Sequence, residues 1–235
     1  KYSDHLLPMK EIHMKQKLLG LFSGFPTHHF PKEITGKLKA ELVTREQLVF
    51  ISAWPADFDR NNSDSKGMHD MFAECGLAFQ RVSVIDAHTD IADAKQMIKN
   101  ASCIFLMGGN ATLQMQLIHE KEIYEEICNS HAVIFGVSAG SINMAKHSVD
   151  IYESLTPYMG LGLTNITIKA HYNEEDKELV QVLKQVSKAL PVCAMKDESA
   201  IFIKDGVAEI IGRIFLIDKE EIVPVTENIL AKLIN

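Results

Sequence analysis

Long apolar runs are missing from this sequence, and their absence argues against a membrane protein. No apolar segment approaches the roughly 20 residues that a membrane-spanning helix needs. The first 13 residues also lack the hydrophobic core of a signal peptide. We therefore expect a cytoplasmic protein without a membrane partner. Because position 1 is not Met, residues 1–13 are interpreted as an N-terminal extension that need not be native, and they are left out of the fold prediction.

Cysteines and basic clusters are also scarce. The four cysteines, at positions 75, 103, 128 and 193, form no C-x-x-C pair and fit no zinc spacing, so we expect reduced structural thiols and no metal. The net charge is −7 and no Lys/Arg cluster opposes it, which disfavours a nucleic-acid partner. The chain has no G-x-x-x-x-G-K-[ST] phosphate loop, and we predict no cofactor.

A regular alternation of short apolar runs and amphipathic stretches fills the chain from Lys17 to about residue 150. Near-continuous apolar strands separated by helices predict a parallel sheet covered on both faces. The predicted strands lie at residues 18–22, 48–53, 79–85, 103–107 and 132–137. The fold class is therefore α/β, with a doubly wound, mostly parallel sheet.

The pattern changes after Asp150. A strand is predicted over residues 164–170 and a helix over 175–190, and Asp205-Gly206 is a strong two-residue hairpin signal. Runs at 215–217 and 222–225 extend this hairpin as a meander. We interpret the region as an antiparallel C-terminal extension of the same sheet, so that residues 14–235 form one domain.

The chemistry centres on Ser138, in the sequence Gly136-Val137-Ser138-Ala139-Gly140. This sequence fits G-x-S-x-G, a sharp strand-to-helix turn that exposes a nucleophile and needs small neighbours because its backbone is crowded. A predicted strand leads into the turn and an apolar helix leads out, as the motif requires. The alternative is a Gly-rich turn with a capping serine.

A second glycine cluster, Gly108-Gly109-Asn110, follows the preceding strand. Loops at the carboxyl ends of neighbouring parallel strands meet in one crevice, so this cluster is expected to face Ser138. The N–H groups of Gly109 and Ala139 would then form an oxyanion hole. The alternative is a helix-entry turn with Asn110 as its cap.

A serine nucleophile needs a base, and the base needs an orienting acid. Among ten histidines, His171 ends the predicted strand at 164–170 and opens a loop, a position that can reach the crevice. For the acid, Asp197 and Glu198 are adjacent in an extended segment. They point to opposite faces, so only one of them can serve.

The set Gly-Gly-Asn, Gly-Val-Ser-Ala-Gly-Ser, His-Tyr-Asn and Asp-Glu-Ser-Ala resembles the serine peptidase family of aspartyl dipeptidase (dipeptidase E) and cyanophycinase, peptidase family S51. The similarity runs from about Leu18 to the Asp205-Gly206 hairpin. It implies a flavodoxin-like three-layer sandwich similar to class I glutamine amidotransferases. It also implies a Ser-His-Glu triad, which maps here onto Ser138, His171 and Glu198, acting on short peptides through an acyl-enzyme.

One departure from the family pattern leaves the substrate open. The dipeptidase's preference for an N-terminal Asp residue is attributed to an arginine beyond the catalytic histidine, whereas here Asn173-Glu174-Glu175-Asp176 follows, with no arginine before Arg213. Three acidic side chains would repel an acidic substrate unless Lys169 or Lys196 compensates.

Three further residues are candidates for substrate contacts: Trp54, Asn110 and Ser141. Trp54, the only tryptophan, follows the second strand and either lines a pocket or simply packs. Two other functions stay open beside the peptidase: an esterase with the same machinery, and a catalytically silent relative that binds a small molecule or a protein. A homodimer is an assembly that we leave open.

Overall fold

The computed structural model describes residues 17–149 and 156–234, so the predicted extension at 1–13 lies outside the described residues. Its strands, in chain order, are β1 (Leu19–Phe22), β2 (Gln47–Ile51), β3 (Arg81–Ile85), β4 (Cys103–Leu106), β5 (Val133–Val137), β6 (His147–Val149), β7 (Pro157–Met159), β8 (Ile168–Lys169), β9 (Val192–Met195), β10 (Ala200–Lys204), β11 (Val207–Ile211), β12 (Ile214–Asp218) and β13 (Glu221–Pro224). Its helices are α1 (Lys32–Glu41), α2 (Phe58–Glu74), α3 (Ile91–Asn100), α4 (Ala111–Glu120), α5 (Tyr124–Asn129), α6 (Ala139–Met144), α7 (Lys177–Ser187) and α8 (Glu227–Ile234).

The central sheet has seven strands in the order β11-β10-β1-β5-β4-β2-β3. The five strands from β1 to β3 in that order run parallel to one another. The two C-terminal strands β10 and β11 are antiparallel to their neighbours. The predicted α/β fold, with a mostly parallel sheet and an antiparallel extension, is confirmed.

Alternate side chains of each inner strand pack on opposite faces of the sheet, which gives the fold three layers. On β2, Leu48 and Phe50 belong to the apolar cluster that contains Phe72 of α2. Their neighbours Val49 and Ile51 belong to the cluster on the other face, with side chains from α3, α4, α6 and α8. Because both faces are covered by helices, the inner strands are apolar at nearly every position, Gln47 at the start of β2 being an exception, as is typical of buried parallel strands.

The predicted hairpin at Asp205-Gly206 joins β10 to β11. Both residues have positive φ angles, 55° and 73°, as a type I′ turn demands. Ile201 of β10 pairs with Ile210 of β11, and β10 in turn pairs with β1. The hairpin therefore closes one edge of the central sheet.

The predicted meander beyond this hairpin was wrong. At Gly212, with φ 83°, the chain leaves the central sheet, and β12 and β13 form a separate four-stranded sheet in the order β13-β12-β9-β8. This second sheet and α7 enclose their own apolar cluster, which includes Leu183 and Ile217. Ile217 of β12 is buried in this cluster and Phe215 packs against it, whereas Ile214 and Leu216 pack in the cluster that covers the central sheet. Both faces of β12 are therefore in contact with apolar side chains, which explains why this strand does not extend the hairpin. The strand predicted at residues 164–170 is shorter in the structure, where β8 comprises only Ile168–Lys169.

All four cysteines are free thiols, as the sequence predicted. Burial raises the pKa of the Cys193 thiol to about 12, and it raises the pKa of Cys103 as well. Neither thiol is therefore ionised at neutral pH, and neither is suited to act as a nucleophile. No helix among the described residues is both long and apolar enough to cross a bilayer.

Candidate active site

The candidate site lies at the carboxyl ends of three adjacent strands of the central sheet. Gly24 lies just beyond β1, Ser138 follows β5, and the Gly108-Gly109 turn follows β4. A Cβ atom added at Gly108 would lie 3.6 Å from Cβ of Ser138, so the turn and the serine are in contact. The two glycine-containing loops therefore meet in one crevice, as predicted from the strand pattern.

Ser138 occupies a backbone conformation that few residues adopt. Its φ is 51° and its ψ is −111°, and its amide donates a hydrogen bond of 3.0 Å to the carbonyl of Phe22 on β1. A side chain at Gly140 would collide with the Leu106 carbonyl, and one at Gly136 would meet the Gly140 backbone at 2.6 Å. The glycines of the motif are needed for this close packing, which holds the strained turn in place.

A continuous chain of hydrogen bonds links three side chains at the crevice. Ser138 Oγ lies 2.9 Å from Nε2 of His171, and Nδ1 of the same imidazole lies 2.6 Å from Oδ1 of Asp197. Because a carboxylate can only accept, Nδ1 carries a hydrogen, and in the neutral imidazole Nε2 is left as an acceptor for the serine hydroxyl. The arrangement suits His171 to remove the proton of Ser138.

The carboxylate that contacts the histidine is Asp197, whereas the sequence resemblance indicated Glu198. Oε1 of Glu198 instead accepts a hydrogen bond of 2.9 Å from the Thr27 hydroxyl. Glu198 has a φ of 62°, and its amide donates to the Gly24 carbonyl, so the backbone turns sharply directly after Asp197. Adjacent side chains point apart, and the turn directs the longer one away from His171.

Two small residues that the sequence analysis did not select hold the histidine and the aspartate together. The buried Ser23 hydroxyl accepts from the His171 amide at 2.8 Å and lies 3.3 Å from Oδ1 of Asp197. A Cβ added at Gly24 would come within 2.5 Å of the His171 ring and 2.7 Å of Oδ1 of Asp197. The available signal was their position: Ser23-Gly24 directly follows a buried strand, at the same edge as the elbow.

The predicted oxyanion donors, Gly109 and Ala139, line the same cavity as the nucleophile. Ala139 directly follows Ser138. Gly109 has a φ of 139°, a backbone conformation that residues with a side chain rarely adopt. Both residues line a cavity with Ser138 and Asn110. Asn110 is also the cap of α4, because its Oδ1 accepts from the Leu113 amide at 2.9 Å. The helix-entry turn capped by Asn110 is therefore observed, and the oxyanion role of the Gly109 and Ala139 amides stays a prediction.

Trp54 lines the same cavity and packs against Gly109. Its indole Nε1 is buried, and among the described residues it is the one buried side-chain nitrogen or oxygen without a hydrogen-bond partner. The guanidinium of Arg60 lies 4.7 Å from the centre of the Trp54 ring. Trp54 therefore has packing contacts and also a position at the site.

The structure does not bring Ser141 to the cavity. Its side chain is fully buried, and its hydroxyl accepts from the Phe22 amide at 2.9 Å. The same oxygen lies 2.7 Å from the Gly136 carbonyl and 2.8 Å from that of Phe22. Ser141 ties the elbow to β1, which is a structural contact and not a substrate contact.

Two cavities adjoin Ser138 and His171. The smaller, which we call the α6 pocket, has a volume of about 210 Å³ and is lined by Ile142 of α6 together with side chains of β6, β8, α7 and β9. The larger is an open groove of about 810 Å³ between the loop after β1 and α2. Substrate therefore has room on either side of the nucleophile.

The lysines considered for an acidic substrate have different surroundings. Lys196 forms an ion pair of 2.9 Å with Glu174, and Arg213 lies 3.4 Å from the same carboxylate. These contacts, the Lys196 hydrogen bond first, hold the pKa of Glu174 below its usual value. Lys169 lines the α6 pocket, and its Nζ donates to the Ala170 carbonyl. Over the described ranges, no group of three His, Cys, Asp or Glu side chains could hold a metal ion.

Fold and geometry together define an α/β protein with a serine, an imidazole and a carboxylate in hydrogen-bonding sequence. The chain belongs to peptidase family S51, whose sequence model matches residues 24–211, and it is a serine peptidase. No curated protein matches it.

Two solved structures share the fold. A peptidase from an acI-B1 Actinobacterium has 15% sequence identity to this chain and a TM-score of 0.64. The alignment covers 91% of this chain and 95% of the peptidase chain. A putative peptidase E protein from Listeria monocytogenes EGD-e has 18% identity and a TM-score of 0.64, covering 83% of this chain and 98% of its own. At these identities the similarity shows the fold and nothing finer.

Proposed function

We propose that the protein hydrolyses short peptides through an acyl-enzyme formed on Ser138, with His171 as general base and Asp197 as its orienting acid. The observation that carries this proposal is the hydrogen-bond chain from Ser138 Oγ through His171 to Asp197, with links of 2.9 and 2.6 Å. Membership of peptidase family S51 supports the reaction class independently.

In the first half of the reaction, His171 Nε2 takes the hydroxyl proton as Ser138 Oγ attacks the peptide carbonyl carbon. The oxyanion that forms accepts from the N–H groups of Ala139 and Gly109. The carbon–nitrogen bond then breaks, and the leaving amine takes the proton from His171. Asp197 keeps the imidazole oriented and stabilises its charged form.

In the second half, water replaces the amine. His171 removes a proton from the water as its oxygen attacks the ester carbonyl, and the same two N–H groups stabilise the second oxyanion. When the ester bond breaks, Ser138 Oγ recovers the proton from His171, and the product carboxylate leaves. The crevice is open enough for this water, because the side chains of His171 and Asp197 are 48% and 40% exposed.

The test is hydrolysis of a dipeptide and tripeptide panel by the wild type and by Ser138→Ala, together with labelling by a fluorophosphonate probe. We expect the wild type to turn over part of the panel and to take up one equivalent of probe on Ser138. The Ser138→Ala variant should do neither. A wild-type protein that is folded, is not labelled and cleaves no peptide would contradict the proposal.

A further inference from the structure

The α6 pocket presents apolar side chains directly beside the nucleophile. Ile142 from α6, Val149 from β6 and Ile168 from β8 line it together with Ser138 and His171. Leu183 of α7 also contributes to the lining and is completely buried. A substrate side chain inside this pocket would be attached to a peptide backbone at Ser138, so the pocket can select the residue next to the bond that is cleaved.

Tyr158, Thr167 and Lys169, the polar side chains that β7, β8 and the segment just before β8 contribute to the pocket, already have partners within the protein. The Tyr158 hydroxyl donates to Oδ1 of Asn143 at 2.8 Å, and the Thr167 hydroxyl donates to the His147 carbonyl at 2.8 Å. Lys169 Nζ donates to the Ala170 carbonyl. A polar or charged ligand group loses its hydration when it enters the pocket, and it could hydrogen-bond to these three side chains only by breaking the bonds that they already make. An apolar group needs no hydrogen-bond partner there.

The volume of the pocket suits one side chain of moderate size. An apolar cavity of about 150 Å³ is known to admit a benzene ring, and the α6 pocket has about 210 Å³. One leucine or phenylalanine side chain therefore fits, and two do not. An alanine would leave most of the pocket empty.

We propose that the α6 pocket binds one apolar side chain, of leucine to phenylalanine size, next to the scissile bond, so that the preferred substrates are short peptides with such a residue at one of the two flanking positions. The inference rests on the proposed function and names its substrate class. The competing chemistry is an acidic side chain that pairs with Lys169.

The first experiment measures kcat/KM for two dipeptide series, Xaa-Ala and Ala-Xaa, in which Xaa is Ala, Leu, Phe, Asp or Lys. We expect Leu and Phe to exceed Ala by at least about tenfold in one of the two series, because each methylene that fills an apolar site contributes to discrimination. Asp and Lys should fall below Ala in that series. A preference for Asp, or no preference in either series, would overturn the proposal.

Two variants connect this preference to the pocket itself. Ile142→Ala enlarges the pocket and should move the optimum from Leu towards Phe, whereas Ala111→Val narrows it from the α4 side and should move the optimum towards Ala. The matched control is Leu113→Ala, which removes a partly buried apolar side chain on α4 outside the pocket. The control should keep the wild-type ranking. A ranking that both pocket variants leave unchanged would contradict the assignment.

A binding measurement separates this inference from the proposed function. Calorimetry with Ser138→Ala tests the pocket without turnover, and we expect Leu-Ala or Ala-Leu to bind at least about tenfold more tightly than Ala-Ala. Equal binding of these peptides, in a wild type that the fluorophosphonate labels, would refute the pocket assignment alone. Absence of labelling would refute the proposed function, while the calorimetric ranking would still decide what the pocket binds.

Discussion

His171 and Asp197 lie on loops that leave neighbouring parallel strands of the small sheet, and their side chains are joined by a hydrogen bond of 2.6 Å. Each follows its strand, β8 or β9, at the carboxyl end. The nucleophile comes from the other, larger sheet. The candidate site therefore lies where the carboxyl ends of strands from the two sheets meet. Ser23, which follows β1 of the larger sheet, links the two sheets by accepting a hydrogen bond from the His171 amide.

The first prediction distinguishes Asp197 from Glu198 as the orienting acid. Asp197→Asn should lower kcat by about 10⁴-fold, since an amide in place of this carboxylate can donate to the imidazole and favours the wrong tautomer. Glu198→Gln should lower it by less than about tenfold, because its side chain contacts Thr27 and not His171. Steady-state kinetics on the best peptide of the panel provide the measurement. The reverse order of effects would restore the Ser-His-Glu triad.

The second prediction concerns Gly24, which packs against the His171–Asp197 pair. A methyl group at this position would lie 2.5 Å from the imidazole and 2.7 Å from the carboxylate, so one of them must move. A displacement of about 1 Å at a catalytic group costs about 10²-fold. We expect Gly24→Ala to lower kcat by that amount while the thermal unfolding midpoint changes little.

Gly36→Ala is the matched control for this substitution. A Cβ atom at Gly36, in helix α1, would meet nothing within 4 Å. Alanine is favoured over glycine inside a helix by roughly 0.5–1 kcal/mol, so the control should be slightly more stable and fully active. If Gly24→Ala keeps wild-type kcat, the glycine is not required for the position of the pair.

Much of this arrangement could be predicted from the sequence, because its signals are local. The apolar strand pattern predicts the parallel sheet, Asp205-Gly206 predicts the hairpin, and Gly136 to Gly140 predicts the elbow at Ser138. His171 could be selected because it ends a predicted strand. In each case the chain segment itself carries the information.

The second sheet and the choice of acid depend on contacts between distant segments, which a single sequence does not show. The run at 215–217 is equally compatible with a meander, and only its pairing with β9 excludes that. Asp197 and Glu198 are chemically similar neighbours. The positive φ of Glu198 and its amide bond to Gly24 determine which carboxylate reaches His171.

The third prediction concerns the turn beside the nucleophile. A side chain at Gly109 would collide with the indole nitrogen of Trp54, and its φ of 139° is unfavourable for any L-residue with a Cβ. The turn must shift to relieve this collision, and the N–H group at position 109 shifts with it. Because loss of one oxyanion donor lowers kcat by about 10²–10³-fold, we expect the effect of Gly109→Ala to fall in this range. Trp54 is the only tryptophan, so the fluorescence of the protein should change as well.

Gly108→Ala is the control for this turn. An added Cβ there would make only ordinary contacts, with Val137 at 3.5 Å and Ser138 at 3.6 Å. We expect a loss of less than about tenfold and unchanged tryptophan fluorescence. Equal losses for the two variants would mean that the turn as a whole, and not the Gly109 amide, matters.

The fourth prediction concerns stability at acidic pH and the ion pairs of Glu41. This carboxylate on α1 accepts from Lys204 on β10 at 2.7 Å and lies 3.3 Å from Lys37, and its side chain is only 16% exposed. The Lys204 hydrogen bond, opposed by burial and aided by Lys37, holds the pKa of Glu41 below its usual value. Glu41 therefore connects the helix layer to the C-terminal hairpin.

Because the pKa of Glu41 is lower in the folded than in the unfolded chain, its carboxylate stabilises the fold at pH values above the unfolded pKa. This contribution is lost as the pH falls through the unfolded pKa, about 4.3, and then through the lower folded value. Glu41→Gln should reduce the free energy of unfolding by about 1 kcal/mol at pH 7 and by progressively less towards pH 3. Urea unfolding at pH 7, 5 and 3.5 measures the difference. Glu46→Gln is the control, because Glu46 is exposed and has no ion pair among the described residues, and its effect on the free energy of unfolding should not depend on pH. A loss of stability in Glu41→Gln that stays the same at all three pH values would contradict the proposed role of the Glu41 pKa.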